Sequence, residues 1–158
     1  MKKPAKKSSR KKTASSCDRR SGHSKTGKTF ASPVVKHRGN CTWKGVRTEA
    51  YKKGKEDWSG IIRRVLVGEG MNAKSHVRYF EIAPGGSSSF EKHRHEHIVV
   101  GIKGKGTVLL DRKRYKIGFL DVVYVSPDTP HQFQNPSDEP FGFICVVSAG
   151  RDKPVLLS

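Results

Sequence analysis

Acidic residues are scarce in this chain: 14 Asp and Glu stand against 32 Lys and Arg, a formal net charge of +18 over 158 residues. Long apolar runs are missing. No stretch approaches the ~18 consecutive residues of a membrane span, so no membrane partner is expected. The basic start lacks the apolar segment of a secretory signal, and no leucine occurs before Leu66, which argues against an amphipathic targeting helix. Cysteines are few (Cys17, Cys41 and Cys145), odd in number and without metal-type spacing. No disulfide framework is therefore expected, and a reducing, cytoplasmic setting is. Helical periodicity is also absent over any ten-residue segment. No Gly-rich phosphate loop and no Ser-His-Asp or Cys-His pattern stands out, which sets aside nucleotide-loop and covalent-nucleophile chemistry.

The charge that is present is unevenly spread. Residues 1–40 hold 13 Lys and Arg and one acid, Asp18. With almost nothing to bury, this segment is expected to be a disordered basic tail, residues 1–42. Such an arm would bind nucleic acid through phosphate neutralisation, without sequence specificity; the alternative is a solubilising extension with no dedicated partner. An ordered domain over residues 43–150 and a short extension over 151–158 complete the expected organisation.

Within the domain, short β-branched and aromatic runs alternate with turn signals. Strands are expected over residues 43–51, 58–67, 76–82, 90–102, 107–110, 115–117, 121–125, 131–135 and 141–148. Pro84-Gly85-Gly86 is expected to turn. Eight to ten short strands point to an all-β barrel or double-sheet sandwich.

The histidines give the chemistry. His93, His95 and His97 alternate in Glu91-Lys-His-Arg-His-Glu-His97, and His131 follows in Pro130-His-Gln-Phe-Gln-Asn135. Alternate residues of a strand share a face, and converging neutral imidazoles hold a divalent transition metal: Fe, Mn, Zn, Ni, Co or Cu. A straight strand would put His93 and His97 ~13 Å apart. All three can meet at one ion only if the chain bulges or bends between them; otherwise two of them bind with His131 and the third stands behind. Phe133 shares the parity of His131 and Asn135 and is expected inside. Phe80, Tyr124 and Cys145 are candidates for the same cavity; plain core packing is the role expected of each, with substrate contact as the alternative. Arg78 is expected in solvent, although the pattern does not fix its face; the alternative is an inward arginine that clamps a carboxylate. Glu91 and Glu96 are expected at the surface, with an imidazole contact as the alternative.

These segments resemble the cupin superfamily. The first motif of that family, G-x5-H-x-H-x3,4-E-x6-G, is matched by Gly86, His93, His95 and Gly104, with His97 where the family has its ligand glutamate. The second, G-x5-P-x-G-x2-H-x3-N, is matched by Gly118, His131 and Asn135, with Leu120 and Asp128 where the family has glycines. The resemblance covers residues 77–148. It implies a small single-domain cupin-type β-barrel (double-stranded β-helix, or jelly roll) and a metal held by His93, His95, His97 and His131. It also implies a homodimer joined through the Trp43 and Trp58 segments. The activity it implies is metal-dependent oxidation of a small-molecule substrate, of dioxygenase type, with isomerase or decarboxylase chemistry less favoured. The alternative is a non-catalytic ligand- or metal-binding module tethered to nucleic acid by its tail.

Overall fold

A computed structural model describes residues 34–52 and 58–158. The expected tail thus falls outside the described residues as far as position 33. Residues 34–42 belong to a tight reversal in which His37 bridges Trp43 and the Arg38 amide donates to the Thr42 carbonyl at 2.9 Å. Residues 53–57, between the expected strands 43–51 and 58–67, also lie outside the described residues.

The described chain is all-β apart from one turn of 3-10 helix at Glu69–Met71. Its strands in chain order are β1 (Glu49–Ala50), β2 (Ser59–Val67), β3 (Ser75–Ser87), β4 (Glu91–Lys92), β5 (His97–Lys103) and β6 (Gly106–Leu110). They continue with β7 (Lys113–Ile117), β8 (Val122–Val125), β9 (His131–Gln134), β10 (Phe141–Ser148) and β11 (Val155–Leu156). All pairings are antiparallel. One sheet runs β1-β2-β3-β10-β5-β8 and the other β11-β4-β9-β6-β7, joined where Ser87 of β3 pairs with Gln134 of β9. The result is a nearly closed barrel with its core between the two sheets.

Two-residue alternation decides what enters that core. Phe141, Phe143, Cys145 and Val147 of β10 are buried, and Phe143 packs on Phe133 of the opposite sheet with ring centroids 4.8 Å apart. Asn135, the last residue of the second motif, is buried too. Its amide donates to the carbonyls of Ile82 and Glu139, both at 2.8 Å, so it ties the end of β9 to β3 and to the turn before β10. The outer face of β3 is also covered in part: Trp43 packs on Tyr79 at 5.3 Å. Trp43 is thus engaged within its own protomer, and Trp58 meets Tyr51 edge-on. The most exposed large apolar side chains are instead Phe119, Val122, Leu120, Val155 and Tyr124.

Two expectations are corrected. Pro84-Gly85-Gly86 does not turn the chain. These residues lie within β3, where Gly85 adopts φ +72° and the amides of Gly85 and Asn135 bond to Asn135 and Gly86 carbonyls at 2.9 and 3.0 Å. The expected strand over residues 90–102 is broken into β4 and β5 with a bend at Arg94-His95. Gly104 then closes β5 at φ +60°, where a side chain would strike the Pro140 carbonyl oxygen at 2.3 Å.

Leu120 and Asp128 keep the left-handed backbone that glycine normally supplies, at φ +64° and +60°. A leucine there costs ~1–2 kcal/mol, whereas glycine's extra unfolded-state freedom costs ~0.5–1 kcal/mol. Leu120 is 63% exposed and so loses little packing. Leu120→Gly should therefore raise stability by about 0.5–1 kcal/mol, with Asp128→Gly giving less because aspartate tolerates this region. Urea midpoints measured on both variants check the ranking; a loss of stability in Leu120→Gly would refute it.

Candidate metal centre and cavity

The bend after β4 brings the histidines together. His93 follows β4, His97 opens β5 in the facing sheet, and His131 opens β9. All three are buried, and one ring nitrogen from each lies within 4.8 Å of the others. His93 and His97 ring centroids are 4.4 Å apart, far closer than a straight strand allows. His95 stacks on His93 at 3.6 Å and brings its Nε2 to 3.2 Å from His97 Nε2.

Hydrogen bonds behind the rings set their tautomers. His93 Nδ1 lies 2.7 Å from the His95 carbonyl and His131 Nδ1 2.9 Å from the Thr129 carbonyl. Each must donate there, which leaves a lone pair on Nε2 facing the cluster. His93 Nε2 is buried with no hydrogen-bond partner. The Asp152 carboxylate receives His95 Nδ1 at 2.7 Å and the amides of Arg94 and His95 at 2.9 and 3.1 Å. Those bonds, the Arg94 amide first, hold Asp152 well below the usual carboxylate range. Burial, and then neighbouring imidazoles, depress the protonation of His93 and His97; burial alone is the largest cause at His131. His93, His97 and His131 are thereby held toward the neutral form, the form that ligates metal.

These histidines sit on the wall of a cavity of about 190 Å³. Phe80, Phe133, Cys145 and Arg78 line it. Tyr124 does not. It lies on the outer face, 55% exposed, and its hydroxyl donates to Glu96 at 2.8 Å. The reason is register: His97 pairs with Val125 and points inward with it, so Tyr124, paired with Ile98, points out. Glu91 is buried rather than at the surface. It accepts from Lys52 and, at 2.6 Å, from the Ser89 hydroxyl, and Ser89 in turn meets the Tyr51 hydroxyl at 3.0 Å. The sequence pattern did not single out Tyr51, Lys52, Arg151 or Asp152. Asp152 reaches His95 from 57 residues away along the chain, and no local spacing marks such a contact.

A family model described as a cupin domain matches residues 78–147. The 1-methylthio-D-xylulose 5-phosphate methylsulfurylase of Rhodospirillum rubrum is 40% identical over 115 residues, 72% of this chain and 73% of that protein. A crystal structure of a cupin-2 domain from Rhodospirillum rubrum shares 35% identity at TM-score 0.69, covering 80% of this chain and 85% of that one. A cupin 2 conserved barrel protein from Rhodopseudomonas palustris shares 32% identity at TM-score 0.73, covering 79% and 86%. With both motifs seated on one cavity and these relatives spanning most of the barrel, the chain belongs to the cupin superfamily.

Proposed function

We propose that the protein is a metal-dependent enzyme acting on a small phosphorylated ketose, such as the methylthio sugar phosphate in the name of its Rhodospirillum rubrum relative. The observation that carries the reading is the convergence of His93, His97 and His131 within 4.8 Å on the cavity wall. The donors fit a divalent transition ion: they are neutral imidazoles, two have Nε2 lone pairs turned inward, and His93 Nε2 is otherwise an orphan. His95 is the fourth donor. Two nitrogens 3.2 Å apart suit adjacent positions around an ion with bonds of ~2.1 Å. Such an ion, when bound, supplies Lewis-acid polarisation of a carbonyl oxygen.

The rest of the chemistry belongs to the side chains. Phe80, Phe133 and Phe143 wall the cavity and exclude water from a bound ketose. Glu91, held by Lys52 and Ser89, can take a proton from the carbon next to a carbonyl and return it to the neighbouring carbon. Oxidation by dioxygen would use the same imidazoles. Oxygen uptake during turnover of the ketose phosphate separates the two reactions: the present reading expects none.

Metal analysis of protein purified without a chelating tag should give one ion per chain. The His97→Ala/His131→Ala double variant should lose it, and equal content in both would end the reading. Asp152→Asn should retain the ion but weaken its affinity ~10–100-fold, because Asp152 holds the His95 ring.

Glu91→Gln should keep full metal content while kcat falls ~10²–10⁴-fold. Unchanged turnover would remove Glu91 from the proton path.

In the metal-free protein the depressed imidazoles give a pH dependence of definite sign. His76, His93, His97 and His131 bind protons less readily when folded. The unfolded chain therefore takes up more protons below about pH 6.5. Stability is fully present above that pH and falls as pH drops, by up to ~1.4 kcal/mol per unit for each such group. Denaturant midpoints at pH 7.5 and 5.5 test this. The loss should be smaller in His97→Gln, and a midpoint that rises on acidification would contradict the assignment of neutral histidines.

A further inference from the structure

Away from the imidazoles, the same cavity holds more positive charge than its carboxylates match. Arg78 enters from β3, flanked along the inner face by His76 and Phe80. Its guanidinium lies 5.2 Å over the Phe80 ring, and Nη2 lies 3.5 Å from Cys145 Sγ. Its Nε is buried with no hydrogen-bond partner. Arg151 enters from the segment after β10 and is anchored on one side, Nη1 donating to His76 Nδ1 at 2.9 Å and to the Ser148 carbonyl at 3.4 Å. Burial is the largest of the influences that lower the proton affinity of Arg151, and the charge of Arg78 is the next. Both arginines line this cavity, and each adds like charge to it.

The carboxylates that line this cavity are engaged elsewhere. Glu91 is bound to Lys52 and Ser89, and Asp152 to His95 and two backbone amides. Arg63, a third arginine on the wall, is paired with Glu49. Among the described residues, no carboxylate lies within 4.0 Å of Arg78 or Arg151. Glu69, on the exposed 3-10 turn, offsets the charge of Arg151 without forming an ion pair with it. Half-buried like charges without an ion pair are costly unless a ligand supplies the opposite charge, and planar guanidiniums match the oxygens of a tetrahedral anion in paired bonds.

We infer that Arg78 and Arg151 form the subsite for the phosphoryl group of the substrate, with His76 fixing the Arg151 guanidinium. The assignment rests on the proposed ketose phosphate for the identity of the whole ligand. The anion site itself stands on the arginine geometry and is tested without metal or turnover.

The experiment uses the full chain, stripped of metal by a chelator, and inorganic phosphate as probe, with chloride at matched ionic strength as control. Thermal midpoints are followed against phosphate concentration. Wild-type protein should show a saturable rise beyond the chloride control, and the Arg78→Met/Arg151→Met variant should need ~10–100-fold more phosphate for half the effect. The His97→Ala/His131→Ala variant should respond as wild type does, so that loss of the metal site leaves this result readable. Every variant retains the basic first 33 residues, so binding there would leave all curves alike. Equal half-saturation in wild type and the arginine variant, or no response in wild type, overturns the inference. If the double arginine variant does not fold, Arg151→Met alone carries the same criterion, because among the described residues that guanidinium bonds to His76 and Ser148 only and is not part of the hydrophobic core cluster.

Discussion

The site depends on the bend between β4 and β5. Had residues 91–97 continued as one strand, His93 and His97 would have stood some 13 Å apart and could not have shared an ion. The bend holds because its freed backbone groups find partners. The amides of Arg94 and His95 bond to Asp152, and the His95 carbonyl takes the His93 Nδ1 proton. Unpaired, the part-buried groups of His95 would each cost up to ~1–3 kcal/mol. The same atoms that permit the bend also orient the rings, so local fold and donor geometry are one arrangement. The strand β11 keeps Asp152 in reach by pairing with β4, through Val155 with Lys92 and Leu156 with Glu91.

Much of this was legible in the sequence, and the legible part follows from periodicity. The β10 boundaries, Phe141–Ser148, match the expected run because inward Phe, Cys and Val alternate without interruption. The parity of His131, Phe133 and Asn135 holds for the same reason: all three are buried while Gln132 and Gln134 are not. The requirement for a bend was also readable, because three alternate histidines cannot otherwise converge. Its position could be bracketed, but the residue that secures it could not. Asp152 lies in what reads as a short extension, and its role arises only when the chain returns to β4.

The misreadings have physical causes as well. Tyr124 was placed inside on composition alone; its face is set by pairing with Ile98 on a strand whose neighbouring residue, His97, points inward. Pro84-Gly85-Gly86 carries strong turn chemistry, yet the glycines are used to distort β3 while it keeps bonding to Asn135. Turn propensity describes what a short peptide prefers, and a long strand with partners on both edges can override it.

Charge links the two ends of the cavity on the proposed reading, in which His97 serves where the cupin motif carries a glutamate. Four imidazoles bring no negative charge, so the charge of a divalent ion in this centre would be left for the substrate to balance. Arg78 adds to that demand, since its charge contributes to keeping His97 unprotonated. Arg151 adds to it from the other side. Within this small chamber Glu91 and Asp152 are already committed to Lys52 and His95. A neutral ligand would leave the excess uncompensated in a medium of low polarity, where the cost is high. A ligand with oxygens to offer at one end and a phosphoryl dianion at the other meets both requirements. On the proposed function, selectivity for the substrate follows from charge balance as much as from shape.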